Sequence, residues 1–363
     1  MSWLFRKLVR PALFALNPET AHEFGIDALR FGLGTAAARN VASRLYGSEF
    51  SFGPIERFGL RFANPLGIAA GFDKNGVAVD ALAALGFGFV EVGTVTLRPQ
   101  TGNPKPRLFR LVEDGALINR LGFNNDGVER VVARLRRASH RCIVGINIGK
   151  NRDVPVDDAI PNYVDCFRRA YSAADYVAVN VSSPNTPNLR ELQRPESLRE
   201  LLRELQNVNG ELSGTSALKP LFVKIAPDVA ESDVEAIVGI ALEFDLAGLI
   251  ATNTTVERSG LRSDATETGG LSGKPLRDRS TGIVRLAHRH SKGRLPIIGV
   301  GGIFSAGDAF EKIAAGASLV QAYTGFVYGG PSFAGEIVRG LDAILTRLGF
   351  TSYEEAVGSG ARP

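Results

Sequence analysis

Residues 296–324 read PIIGVGGIFSAGDAFEKIAAGASLVQAYT, one full period of a pattern that runs along most of the chain. A short apolar run (296–300) ends in Gly301-Gly302, a helix-like stretch follows (305–315), and a second apolar run (318–322) ends in Tyr323-Thr324. Both runs are apolar on successive positions, as in parallel strands buried on two faces. Working outward, the runs from Asn64 onward are 66–70, 87–92, 143–148, 176–181, 221–225, 248–251, 296–300 and 318–322. Helix-like segments lie at 77–85, 128–138, 195–205, 232–243 and 305–315. Eight strands alternating with helices predict an α/β fold of the (β/α)8 TIM-barrel type, with an open doubly wound sheet as the competing architecture.

The run ends carry the functional signal. The first is followed by Ala70-Gly71-Phe72-Asp73-Lys74, and the second by Gly93-Thr94. Asn147, Asn180 and Lys224 belong to the third, fourth and fifth, and Thr252-Asn253-Thr254 follows the sixth. Barrel active sites are built at the C-terminal ends of the strands. Amides and ammoniums are costly to bury unless paired, so a polar ligand is expected among them.

The first 45 residues stand apart. Trp3, Leu4, Phe5, Leu8, Val9, Leu13 and Phe14 are interrupted by Arg6, Lys7 and Arg10 at helical spacing. The segment is too short and too charged to span a bilayer, and its charges break any secretory-signal pattern. A second helix is expected to start at Pro18 with Asn17 as its N-cap. The domain reading is an amphipathic two-helix extension at 1–45 and a barrel at 46–363. The extension suits either a membrane interface or packing on the barrel.

Composition narrows the function classes. The 363 residues carry a net charge of +4, compatible with an anionic ligand or a membrane surface, and no dense basic run demands nucleic acid. Two distant cysteines, Cys142 and Cys166, make a disulfide framework improbable, point to a reducing compartment and read as core residues. Four scattered histidines and no Cys/His cluster give no expected metal site.

Three segments carry the chemistry. Residues 299–307 open a helix with glycines through which backbone amides approach an anion, and Tyr323-Thr324 adds to that end. The pair reads as a phosphate site or as plain tight turns. Ser182-Ser183-Pro184-Asn185-Thr186-Pro187-Asn188 follows the fourth run, a rigid cap or a serine base between amides that can pair a planar ligand. No Ser–His pairing is evident, which disfavours a hydrolase triad. Asn119-Arg120-Leu121-Gly122-Phe123-Asn124-Asn125 lies after a long, basic, proline-rich stretch (96–110) that reads as an ordered loop over a site.

Taken together these segments resemble the dihydroorotate dehydrogenases. The resemblance rests on Asn64 to Asn75, Glu91 to Thr96, Gly102 to Arg107, Asn119 to Asn125, Gly145 to Asn151, Val179 to Pro187, Val223 to Pro227, Ala251 to Thr255, Gly269 to Gly273 and Gly299 to Gly302. It implies a TIM barrel holding one FMN and oxidising (S)-dihydroorotate to orotate in de novo pyrimidine synthesis. Carried over, FMN contacts come from Ala70, Gly71, Phe72, Asp73, Lys74, Thr94, Asn147, Asn180, Lys224, Thr252, Gly273, Gly302, Tyr323 and Thr324. Substrate contacts come from Lys74, Asn119, Arg120, Leu121, Gly122, Phe123, Asn180, Asn185, Asn253 and Thr254.

The soluble classes of that family use a cysteine base, whereas the matching residue here is Ser183, and the quinone-using class carries an N-terminal helical extension. The resemblance therefore implies Ser183 as catalytic base and a membrane quinone as acceptor, with His22 and Arg110 as quinone contacts. It also implies a monomer held peripherally at the cytoplasmic side of the cell membrane. Competing readings are a soluble dehydrogenase passing electrons to fumarate or NAD, an FMN-dependent tRNA dihydrouridine synthase and a membrane-binding module without catalysis.

Overall fold

The computed structural model describes residues 2–138 and 140–361. Its centre is a closed barrel of eight parallel strands: β1 (Leu66–Ile68), β2 (Phe89–Val95), β3 (Ile143–Ile148), β4 (Tyr176–Asn180), β5 (Leu221–Ile225), β6 (Gly248–Ala251), β7 (Ile297–Val300) and β8 (Leu319–Ala322). Each falls within one of the eight apolar runs or, for β2, extends past it to Val95. The ring closes where Val320, Gln321 and Ala322 of β8 pair with Leu66, Gly67 and Ile68 of β1. Every strand residue except half-buried Ile143 is buried, because side chains point alternately into the barrel and under the helices.

A helix follows every strand. Val79–Ala84, Val128–Leu135, Pro195–Ser213, Glu231–Glu243 and Ala306–Ala314 fall where the sequence predicts them, the third running on to Ser213. Ala159–Ala170, Arg277–Ser291 and Phe333–Arg347 complete the ring. A hairpin, Ile55–Arg57 with Leu60–Phe62, plugs the N-terminal end, where Phe62 stacks edge-on against Phe89 at 5.3 Å. Over the C-terminal end lies an antiparallel sheet of Leu108–Leu111, Ala116–Asn119 and Gly270–Gly273. The basic, proline-rich stretch is therefore an ordered cover, as its composition suggests.

The N-terminal segment is helical from Ser2 through Ala15, then at Pro18–Gly32 and again at Ala36–Tyr46. Asn17 caps the second helix by accepting from Glu19 N at 3.0 Å, with Pro18 in the first turn. This helix is tied to the cover by a buried ion pair: Arg107 Nη2 donates to Glu19 Oε1 at 2.8 Å, while Arg107 Nη1 binds Thr101 O and Asn103 O. Burial alone would raise the Glu19 carboxyl, but hydrogen bonds and charge from Arg107 hold it below its ordinary value. Among the described residues no helix is long and apolar enough to cross a membrane. Cys142 and Cys166 are free thiols raised to about 12 by burial, in keeping with packing roles.

Candidate active site

The strand ends and their cover enclose a cavity. Its floor is organised by Glu91, a carboxylate with 0 % exposure at the middle of β2. Four donors converge on it: Gln321 Nε2 at 2.8 Å, Asn147 Nδ2 at 2.9 Å, Tyr176 OH at 3.1 Å and Lys224 Nζ at 3.2 Å. A buried carboxylate survives only when so satisfied. The acceptor at one end fixes the direction of a whole chain of amides. With Nδ2 committed to Glu91, Asn147 accepts through Oδ1 from Thr94 Oγ1 at 2.6 Å. Thr94 in turn accepts from Asn180 Nδ2 at 2.9 Å, and Asn180 Oδ1 accepts from Asn253 Nδ2 at 3.1 Å. Four separate strand ends are thereby locked into one polar wall.

The mouth carries a second amide set. Asn185 Nδ2 donates to Asn119 Oδ1 at 3.2 Å, joining the β4 loop to the cover. Ser183, 5 % exposed, lines the cavity, and its Oγ accepts from Asn185 N at 3.2 Å. The loop is braced by Arg190 Nε to Ser182 O at 3.2 Å. Nearby in sequence, Thr186 Oγ1 is buried without a partner among the described residues. Phe123 lines the same space with φ 55, a left-handed backbone unusual for a bulky residue, and Asn125 Nδ2 secures its carbonyl at 2.7 Å. Lys74 enters from the β1 loop, and burial pushes its ammonium down to about 8.

The far end is built from backbone. Gly273, Gly301, Gly302, Tyr323 and Thr324 line it, and the hydroxyls of Ser272 and Thr324 lie 2.8 Å apart. Gly302 has φ 74, and a Cβ there would meet Arg277 Cα at 2.4 Å, so no side chain fits.

The structure brings most of the expected residues together and sends a few elsewhere. Ala70, Gly71, Lys74, Thr94, Asn180, Lys224, Thr252, Asn253 and Thr254 all line the cavity, as do Asn119 and Leu121 to Phe123. Asn147 sits one layer below, acting through Thr94. Asp73 turns inward to accept from Val77 N and Ala78 N, so it shapes the β1 loop. Arg120 departs from the expectation for its side chain: the guanidinium pairs with Glu267 Oε2 at 2.6 Å and stacks on Phe109, away from the cavity. Sequence reading missed roles for Glu91 and Gln321. The available signal was a charged and an amide side chain inside otherwise apolar strands.

A second cavity lies between the N-terminal helices and the barrel. It is mostly apolar, with Leu13, Phe14, Ala28, Leu29 and Phe326 in its walls. His22 and Arg110 both reach it. His22 packs edge-on against Phe72 at 5.2 Å, and burial pushes its imidazole down to about 3, so it is neutral at physiological pH. Arg110 donates to Phe14 O at 2.9 Å and lies 4.1 Å over the Phe14 ring. Leu108, Leu117 and Tyr323 line both cavities and form the partition between them.

Known proteins resemble this chain in sequence and fold. The family model for dihydroorotate dehydrogenase matches residues 55–345. Curated proteins called dihydroorotate dehydrogenase (quinone) match over nearly the full length. That of Roseiflexus castenholzii is 52 % identical over 97 % of this chain and 95 % of its own, and that of Gloeobacter violaceus is 50 % identical over 97 % and 98 %. A crystal structure of the Eimeria tenella enzyme in complex with ferulenol superposes with a TM-score of 0.87 at 38 % identity, covering 98 % of this chain and 99 % of that one. The match takes in the N-terminal helices as well as the barrel and its polar strand ends, and on these grounds the chain belongs to the dihydroorotate dehydrogenase family.

Proposed function

We propose that the protein oxidises (S)-dihydroorotate to orotate and passes the electrons, through FMN, to a membrane quinone in de novo pyrimidine synthesis. The observation that carries this reading is the pair of cavities, one polar and one apolar, sharing a wall of Leu108, Leu117 and Tyr323. A polar substrate and an apolar acceptor need separate entrances to one redox centre. The quinone in the names of the curated relatives supports the choice of acceptor.

The donor set fits FMN. The glycine-lined far end, with Thr324 and Ser272 hydroxyls, suits a phosphate, and Thr94, Asn180 and Lys224 offer polar groups to a ring system. The chemistry such a bound flavin would supply is a hydride acceptor for C6 of the substrate and an electron path to the quinone. Lys224 supplies positive charge toward the ring, moderated by Glu91 at 3.2 Å. Asn119, Asn185, Asn253 and Thr254 pair the ureide of dihydroorotate, and Lys74 faces its carboxylate. Ser183 Oγ takes the C5 proton while its own hydroxyl proton passes on through a hydroxyl or water relay, for which buried Thr186 Oγ1 is the candidate. The enclosure of Ser183 among amides excludes bulk water, and Asn185 N holds its Oγ in place.

The quinone enters through the apolar cavity, where His22 and Arg110 are the polar contacts. Among the described residues, nine of fourteen exposed large apolar side chains lie in the first 45 residues, including Trp3, Leu8, Phe24 and Phe31. Arg6 and Lys7 accompany them. Such a surface supports peripheral attachment to an anionic membrane. Stopped-flow reoxidation of the dihydroorotate-reduced protein tests the acceptor: rapid reaction with a ubiquinone analogue is expected, and rapid reaction with fumarate alone would refute it.

A further inference from the structure

One buried cation has no place in this chemistry so far. Lys312, on Ala306–Ala314 behind β7, has 0 % exposure. Among the described residues its ammonium hydrogen-bonds neutral acceptors only: Ser280 Oγ, Thr281 Oγ1 at 3.0 Å and Arg277 O at 3.4 Å. On its own helix Glu311 precedes Lys312 and favours its charged form, while Asp308 is occupied by Arg277 at 3.2 Å and by the N–H groups of Phe304 and Ser305. Burial pushes the ammonium down to about 7, and a nearby anion would favour its charged form.

The hydrogen-bond directions give this lysine a task. An ammonium can only donate, so Ser280 accepts from Lys312 and has one proton left to give. Both carbonyls in its reach lie at 3.2 Å: Arg277 O in its own helix and Gly301 O in the loop after β7. The Gly301–Gly302 peptide is trans, so its C=O and N–H point in opposite directions. With the carbonyl turned back to Ser280, the Gly302 N–H is turned the other way, toward the cavity that both glycines line. Arg277, on the same helix as Ser280, leaves no room for a side chain at Gly302.

We propose that Lys312 is a positioning residue for the cofactor's phosphate: through Ser280 it orients the Gly301–Gly302 peptide, and it places a positive charge behind that peptide. The assignment rests on the FMN reading above. A merely structural lysine would support all ligands of the barrel equally. One acting on the phosphate separates FMN from riboflavin, which has the same rings and no phosphate.

The test is titration of the full-length protein, freed of flavin, with FMN and with riboflavin, for the wild type, Lys312→Met and Ser280→Ala. The wild type is expected to prefer FMN. Lys312→Met should weaken FMN by about tenfold or more, the scale of one charge-assisted contact, and leave riboflavin within about twofold. Ser280→Ala keeps the lysine and the helix packing, and it should narrow the preference by a smaller factor. If Lys312→Met fails to fold, Ser280→Ala decides. An unchanged preference in the variants, or equal weakening of both flavins, overturns the assignment while leaving the cofactor reading intact. A wild type that binds neither flavin refutes both.

Discussion

Ser183 owes its proposed role to its surroundings, since a free serine hydroxyl is a very weak acid. It is buried in a proline-braced loop, held by Asn185 N, and faces a cavity lined by amides and two lysines, Lys74 and Lys224. Ser183→Ala should keep the flavin and slow flavin reduction by dihydroorotate by about 100-fold or more; near-normal single-turnover rates would remove it as the base. Lys74 gives a pH signature. Its ammonium is charged below about 8 and neutral above it, so its attraction for the ligand carboxylate is present at neutral pH and lost as pH rises through that value. The dissociation constant of orotate, read from the flavin spectrum, should rise above about pH 8 in the wild type and stay flatter in Lys74→Met. At this scale the strand-end residues were legible, because polar groups closing an apolar run announce themselves. Glu91 was not, since its four donors come from β3, β4, β5 and β8 and meet only when the barrel closes. The direction of Arg120 was illegible for the same reason: Glu267 is 147 residues away.

The helix Pro18–Gly32 shows how far an element can be read locally. Its start at Asn17-Pro18 was visible as a cap and a fixed φ, and the structure has both. Its docking was not visible, because Glu19 finds Arg107 88 residues along the chain. Glu19→Gln leaves the Arg107 guanidinium buried with its charge uncompensated, at a cost of about 3 kcal/mol in stability. The expected result is a lower thermal midpoint and slower quinone reduction, with reduction by dihydroorotate largely kept. Equal loss of both half-reactions would contradict a role confined to the helix. The depressed Glu19 carboxyl implies that the ion pair's contribution is complete at neutral pH and disappears only in acid, as pH falls through the native value. The neutral imidazole of His22 should contribute no pH dependence to quinone reduction between about pH 5 and 8.

Across the whole molecule, the barrel itself was the most legible feature, because eight two-sided apolar runs leave few other architectures. The antiparallel cover was read only as an ordered loop: its three strands are short, and Gly270–Gly273 joins from far downstream, Gly270 pairing with Asn119. The partition between two cavities was beyond sequence altogether. It nevertheless divides the proposed chemistry into halves that can be separated. Removing residues 1–45 should abolish membrane association and reduction of a long-tailed quinone while the flavin site still forms; unchanged turnover with that quinone would refute the apolar entrance. The polar half carries the substrate chemistry. The visible spectrum of the purified protein, recorded without oxygen before and after adding dihydroorotate, tests it most directly. A flavin spectrum that bleaches on addition is the predicted result, and a colourless protein, or a flavin that dihydroorotate leaves oxidised, would contradict it.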